Sequence, residues 1–595
     1  MRLRLLLLAL LAACTPAADT GESAVDPDTL DADGDGASPA DGDCDDDNAA
    51  VAPGATEVCN EIDDNCDGTI DEDVAPIWFA DADLDGFGDF KTWDYACEQP
   101  AGFVANDLDC DDTTAERNPD AAEVPYDGID QDCTSEDATC ADMGETYSGN
   151  LSIGGDDDLS DFCADYANVS GNVQIIGRTT EDLTGLECLC SVDGGLRVWS
   201  STLTSLHGLE GLVSVGRLEL IGDPSLASLD GLDNLTTVEE VYLYDMPALV
   251  SVSALARVSG ELTTIQLLEL PALVSVGGFE GIEGASLVEL DQLGSLVDVN
   301  GFSGLFSADQ LTMTTLPSLT SLAGFAALED CSNTEISGTG LGSLDGLGAL
   351  GSLDTLEVAD NPSLTTMVGM EGLTRLGNVS VHGNGRLMDV AALAAVGDNA
   401  DQVIVYNNAS LADLSALSAM ESVTYLYLSD NALVDFSALS GLTTVGTMAL
   451  GETRVTSLSG FASLKTIGAF ELWDGGYATL DGMTAVTKIS DLVLKDLLDL
   501  TTLEALAGVD LGDIEIYDAD ALVDLRGLEA WTGGSSDDLV LDDSDSLTSL
   551  AGLEGVTKLK SLEITDNPAL PTAEADALCL VALGDPADCT ISGNQ

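Results

Sequence analysis

From residue 151 onward, one feature governs what this chain can become: an apolar-x-apolar core that recurs at a nearly constant interval. It begins at Leu151, Val173 and Leu196 and continues through Val288, Leu356 and Leu426 to Leu539 and Leu562. Eighteen steps separate Leu151 from Leu562, giving a period of about 22.8 residues, the length of one solenoid turn. A unit that short cannot bury its own apolar face; stacked units share one continuous core. Within residues 353–377, Leu353, Leu356, Val358, Leu364, Met367, Met370, Leu373 and Leu376 are expected to point inward. Their spacing is neither helical nor strictly alternating, so each turn should hold a short strand and two or three extended or 3₁₀ segments. Glycines at the same corner, Gly231, Gly346, Gly527 and Gly552, disfavour full helices on the far side. The expected class is all-β, a parallel β-solenoid over residues 140–595. Cys589-Thr590-Ile591 would supply the last strand of roughly twenty coils, on the order of 95 Å of stacked rungs.

VTYLYLSDNAL (423–433), LDTLEVADNPSL (353–364) and LKSLEITDNPAL (559–570) resemble the leucine-rich repeat LxxLxLxxNxL, and also the coils of receptor L domains. The resemblance covers about residues 146–595 and implies a right-handed solenoid. It further implies that Asn361, Asn384, Asn408, Asn431, Asn567 and Asn594 bond backbone groups of adjacent coils. Leu270, Leu293, Leu316 and Leu497 stand at the same place elsewhere and cannot make those bonds. The expected ladder is therefore interrupted, which favours the receptor L type of cross-section.

Ahead of the repeats, Arg2 and Arg4 followed by Leu5–Leu11 read as a signal peptide over residues 1–13. Leu11-Ala12-Ala13-Cys14 resembles the bacterial lipobox, which implies lipidation at Cys14. Thr15 resembles an outer-membrane sorting residue, and 14–30 reads as a lipidated tether. Export into an oxidising compartment makes the remaining cysteines candidate bridges. Cys44, Cys59, Cys66, Cys97, Cys110 and Cys133 form one group, whose fifteen possible pairings stay open. Cys140, Cys163, Cys188 and Cys190 are expected to staple an N-terminal solenoid cap, and Cys579 with Cys589 the C-terminal one. Cys331 stands alone as a buried thiol.

Residues 31–136 are rich in Asp, Gly and Asn and too poor in aliphatics to bury much core, so bridges and cations must hold them. Three loops place alternate oxygens before a glycine turn: Asp31-x-Asp33-x-Asp35-Gly36, Asp63-x-Asn65-x-Asp67-Gly68 with Asp71, and Asp81-x-Asp83-x-Asp85-Gly86 with Asp89. Convergent carboxylates around a permissive bend are what a hard cation requires, and calcium is the expected ion. Asp43-Cys44-Asp45-Asp46 with residues 53–73, and the echo at Asp109-Cys110-Asp111-Asp112 and Asp127–Cys133, resemble the Asp/Cys metal-binding repeat of bacterial surface proteins. In the second copy Val124-Pro125 replaces Val-Cys, so a different staple is expected there, with Cys97 the candidate.

With 107 acidic and 17 basic residues, a net charge of −90 argues against nucleic acid or anionic lipid as partners of the protein surface. Lipid on Cys14 would be the sole membrane contact. Histidine occurs only at 207 and 382, and neither GxSxG nor HExxH is present, so no catalytic residue is assigned. The expected function is a non-catalytic, calcium-ordered binding or adhesion platform for a protein or glycan at the outer membrane or cell surface. A β-helical polysaccharide-acting enzyme using paired carboxylates, and a purely structural envelope spacer, are the competing readings. The outward strand residues Glu219, Glu289, Glu335, Glu357, Glu471, Glu515 and Glu563 read as a solvated face. Tyr406, Tyr425, Tyr427 and Trp473 mark a candidate aromatic patch on nearby coils.

Overall fold

The computed structural model describes residues 26–121, 129–134, 140–155, 157, 162–179, 181–396 and 400–595. The signal peptide at 1–13, Cys14, the tether up to residue 25 and Val124-Pro125 lie outside the described residues. The chain divides into two compact units, Met1–Ala138 and Thr139–Gln595.

The second unit is a parallel β-solenoid, built on a sheet of 22 strands. The first two coils each carry a split strand, Glu145–Tyr147 with Leu151–Gly154 and Tyr166–Val169 with Val173–Ile176. From Ser191–Trp199 to Thr590–Ser592 every coil contributes one strand, in register with the coils on either side. Leu356, for example, pairs with Thr334 before it and Val379 after it. Identical positions thus stack into columns. All eight inward residues expected between 353 and 377 are buried.

Short 3₁₀ turns, such as Asn300–Phe302, Ala323–Phe325 and Ser459–Phe461, close the coils opposite the sheet. They carry a feature the repeat pattern did not single out. Phe279, Phe302 and Phe325 are fully buried and stacked, with ring centroids 5.5 and 5.4 Å apart. At the glycine corner, Gly346 has φ +120, and a Cβ there would strike the Leu322 carbonyl of the neighbouring coil. A second left-handed corner follows the strands and is filled in half of the coils by acidic residues, among them Asp360, Asp430, Asp496 and Asp566. Aspartate tolerates this conformation better than most residues because its short side chain can bond locally.

The residue after that corner is the ladder position. Asn361 N–H donates to Asn384 Oδ1 at 2.9 Å, Asn384 N–H to Asn408 Oδ1 at 3.1 Å, and Asn408 N–H to Asn431 Oδ1 at 3.2 Å. A second run links Ser544 to Asn567 and Asn567 to Asn594. Leu270, Leu293, Leu316 and Leu497 are fully buried at the same place, so there the backbone loses this partner and the core gains an aliphatic chain. Cys140–Cys190 and Cys163–Cys188 brace the first coils. Cys579–Cys589 ties the helix Thr572–Ala582 to the last strand, and Cys331 is free and buried.

The first unit is built differently. Ile77–Ala80 pairs antiparallel with Asp89–Tyr95 and with Phe103–Val104, a small sheet inside a segment read from sequence as loops. Among the described residues of this unit, Val51 is the only fully enclosed apolar side chain. Three bridges hold it: Cys44–Cys66, Cys59–Cys97 and Cys110–Cys133. The expectation of a different staple for the second copy is corrected here. Cys110–Cys133 spans 23 residues as Cys44–Cys66 spans 22, while Cys97 closes onto Cys59 of the first copy.

Candidate metal centres

The loop at Asp31 is shaped by its own carboxylates. Gly34 and Gly36 N–H donate to the two oxygens of Asp31 at 2.7 and 3.1 Å, Asp35 N–H to Asp33, and Ala37 N–H to Asp35. These bonds coil the chain so that oxygens of Asp31, Asp33 and Asp35 lie within 4.8 Å of one another. Asp43 and Asp46 then join from the following segment: Asp46 Oδ1 accepts from Ala32 N–H at 3.0 Å, and Asp43, whose Oδ1 accepts from Asp45 N–H at 2.9 Å, brings its charge to bear on Asp33. The loop and the Asp-Cys-Asp-Asp motif are therefore two halves of one site.

The second site repeats all but one of the bonds of the first. Asp85 N–H donates to Asp83, Gly86 N–H to Asp81 Oδ2 and Phe87 N–H to Asp85, while Asp81 Oδ1 lacks the donor that Gly34 gives Asp31. Asp81, Asp83 and Asp85 converge within the same 4.8 Å, and so do Asp83, Asp109 and Asp112. Asp112 accepts from Ala82 N–H as Asp46 does from Ala32, and Asp109 from Asp111 N–H as Asp43 does from Asp45. Sequence reasoning missed Asp43, Asp46, Asp109 and Asp112 as members of these sites. The linear spacing hid them: in the second copy the strands at 89–95 and 103–104 are inserted between loop and motif.

Buried carboxylates without a partner are costly, and these sites concentrate them. Asp33 Oδ2, Asp35 Oδ2 and Asp43 Oδ2 in the first site are enclosed and accept no hydrogen bond, as are Asp81 Oδ1, Asp83 Oδ2 and Asp109 Oδ2 in the second. Asp109 is only 2% exposed. Burial, reinforced by the charges of Asp35, Asp43 and Asp31, holds the Asp33 acid above its ordinary value. Burial does the same to Asp109, with Asp85, Asp83 and Asp112 adding to it. Orphaned oxygens and crowded negative charge together fit a hard cation, and the donor set is all oxygen, because every neighbouring cysteine is in a bridge.

The middle loop has the same internal turn: Asp67 and Gly68 N–H donate to the oxygens of Asp63 at 3.1 and 2.9 Å, and Asp67 N–H also to Asn65 Oδ1. Glu72, which the sequence reading passed over, bonds Asn65 Nδ2 and buries its second oxygen unpartnered. Two further residues expected as ligands hold donors of their own, as Asp31 and Asp63 do. Asp71 uses both oxygens to accept from Asn60 and Glu61 N–H, at 2.8 and 2.9 Å. Asp89 accepts from Lys91 N–H and the Thr92 hydroxyl at the start of its strand. Backbone amides at these bends were unsatisfied donors, and the nearest carboxylate took them.

Residues 43–72 and 109–137 match the family described as "Putative metal-binding motif", whose name also refers to copper binding. Two copies of a metal-binding motif thus precede the solenoid in sequence. The loops 31–36 and 81–86 lie outside the matched residues, so each site reaches beyond its motif. Comparison with curated proteins gives no match. Among solved structures, the chain is similar to the internalin InlF of Listeria monocytogenes, at 16% identity over 57% of this chain and 85% of that one, with a TM-score of 0.30. It is also similar to the functional domain of InlJ from Listeria monocytogenes, which includes a cysteine ladder, at 16% identity over 61% and 69% with a TM-score of 0.27. A third is a TLR13–ssRNA13 complex, at 15% identity over 72% and 80% with a TM-score of 0.27. The solenoid itself is established by this chain's own strand register and core.

On the solenoid face the acidic outward row is less continuous than the sequence list implied. Glu335 and Glu357 are direct neighbours, but Thr312 separates Glu289 from Glu335, and Val493 and Val540 separate Glu471, Glu515 and Glu563. Glu219 is paired with Arg197 at 3.2 Å.

Proposed function

We propose that this chain is an exported, lipid-anchored surface protein whose first unit is ordered by calcium and whose solenoid is a non-catalytic binding platform. The observation that carries the metal role is the duplicated site: two sets of buried, unpartnered aspartate oxygens assembled by closely matching hydrogen bonds from a loop and a motif. Calcium suits them because it takes six to eight oxygen ligands with little directional demand. Copper favours imidazole or sulfur, and both histidines of the chain lie in the solenoid. Six disulfides fit an oxidising compartment, which supports export, while the lipobox-like residues 11–14 and Thr15 support lipidation at Cys14 and placement at the outer membrane or cell surface. A rigid stack of coils presents a long sheet surface to a protein or glycan, the usual use of such an architecture.

Metal analysis of the purified full chain, joined to hydrogen exchange with and without added calcium, tests this reading. Calcium should be retained and should slow exchange across residues 31–121. Copper in its place, or exchange there indifferent to calcium, would overturn the assignment of the ion.

A further inference from the structure

Four rings gather on the outward face of neighbouring coils. His382 stacks on Tyr406 with centroids 4.6 Å apart, Tyr406 meets Tyr427 edge-on at 5.7 Å, and Tyr427 meets Trp473 at 5.7 Å. Tyr427 and Trp473 are not on adjacent strands. The strand between them, Thr444–Gly451, offers only Ala449 opposite Tyr427 and Gly451 opposite Trp473. The indole lies across that gap, and a methyl group at Gly451 would collide with the ring. A hollow of about 330 Å³ results, lined by Tyr427, Glu471, Leu472, Trp473, Val493 and Lys495.

The same three coils end in acids. Asp430, Glu452 and Asp474 occupy the left-handed corner directly after their strands, with φ of 50, 45 and 44. Glu452 is held above the usual carboxylate range by a hydrogen bond and charge from Asp430, with Asp474 adding to it. Lys495, the one cation lining the hollow, is engaged at 3.9 Å by Asp496. An aromatic floor beside the lining carboxylate of Glu471, with acids following the same strands, on a chain of net charge −90, complements one kind of ligand. A lysine or arginine side chain can lay its stem and cationic head on the rings while the head also meets a carboxylate.

The geometry points to a docking site on the Tyr427–Trp473 coils for a basic, arginine- or lysine-rich peptide segment of a partner protein. This rests on the platform reading of the solenoid and is independent of calcium at the first unit. A neutral glycan could stack on the rings and donate its hydroxyls to the acids but would leave their charge uncompensated, and nucleic acid is repelled by both the site and the chain.

Diffuse charge alone will attract any polycation, so the test must separate the hollow from the field. The full chain, saturated with calcium, is titrated at physiological ionic strength with a short arginine-rich peptide and with cellohexaose. Its Trp473→Ala and Gly451→Ala variants are measured alongside, with Glu289→Gln as a remote charge control. Melting curves check the fold of each. The peptide should bind wild type and lose at least about tenfold in affinity in both site variants, a loss of the order of one desolvated cation–π contact. Glu289→Gln should change it by less than about twofold, as a screened distant charge does. Gly451→Ala keeps every ring and acid but displaces the indole, so its loss reports the built hollow. Equal affinity of the site variants and wild type, or no peptide binding, overturns the site. Preference for cellohexaose also overturns it while leaving a binding platform in place.

Discussion

The two units of this chain solve the problem of a core in opposite ways. In the solenoid, fully buried leucines, valines and phenylalanines form one continuous apolar column, and buried asparagines such as Asn361 and Asn384 bond successive backbones. Among the described residues of the first unit a single valine is fully enclosed, and most buried side chains are aspartates and glutamates such as Asp43, Glu57, Asp64, Asp81 and Asp109. An apolar core gains free energy from water alone. A carboxylate core is a liability until hydrogen bonds and a cation compensate it. The lesson is that the solenoid's stability belongs to the sequence, whereas that of the first unit belongs to the sequence together with its solution.

The largest expected effect tests that contrast directly. Adding calcium at about a hundred times its Kd should stabilise the first unit by about 2.7 kcal/mol for each site filled. Chelation should reverse this, and hydrogen exchange over the solenoid coils 191–592 should not respond. An equal response in both units would erase the distinction. Asp109→Asn, which keeps the shape and removes one charge, should weaken the calcium effect without moving the solenoid's melting.

A core substitution should show the complementary asymmetry. Phe302→Ala removes the middle ring of the Phe279–Phe302–Phe325 stack, and such truncations cost about 3–5 kcal/mol. The loss should appear in thermal melting whether or not calcium is present. A calcium-dependent loss would show that the two cores are coupled.

Asn384→Ala should cost about 2 kcal/mol, because it strands the Asn361 N–H and the Val358 carbonyl, both bonded to this side chain inside the solenoid. Asn384→Leu imitates the natural coils at Leu270 and Leu293. Its melting temperature sharpens the comparison by showing whether aliphatic packing offsets the lost bonds.

The smallest effect concerns acids on the solenoid face. Glu335 has its carboxyl raised above the usual value by burial and then by Glu357 and Glu289. A carboxylate raised in the folded state costs stability in full above its folded pKa, and the cost is gone once pH falls below the unfolded value. Glu335→Gln should therefore gain about 0.5 kcal/mol at neutral pH, the scale of one like-charged cross-strand pair. The gain should vanish in acid, which paired melting curves at the two pH values would reveal.

Much of the solenoid was legible because its information is periodic. Once the spacing from Leu151 to Leu562 is read, register and inward positions follow, since each coil repeats the geometry of the last, and the resemblance to leucine-rich repeats added the interrupted asparagine ladder. The phenylalanine column and the acidic corners were not drawn out, although Phe279, Phe302 and Phe325 keep the same interval of 23 residues and Asp or Glu often follows a strand. The first unit resisted because its sites join residues by folding rather than by spacing. Asp31 lies 12 residues before Asp43, but Asp81 lies 28 before Asp109, and only the inserted strands explain the difference. Nor could spacing show that Asp71 and Asp89 would accept from backbone amides.

By itself, then, the sequence determined that this chain stacks parallel coils around a leucine interior, because a periodic apolar pattern leaves a chain few other ways to leave water. It also determined that something other than apolar burial must hold the first unit. Tertiary structure decided which aspartates meet, which cysteines pair in the first unit, and that Trp473 crosses a glycine to reach Tyr427. Those are questions of where side chains arrive in space, and the distance along the chain does not encode them.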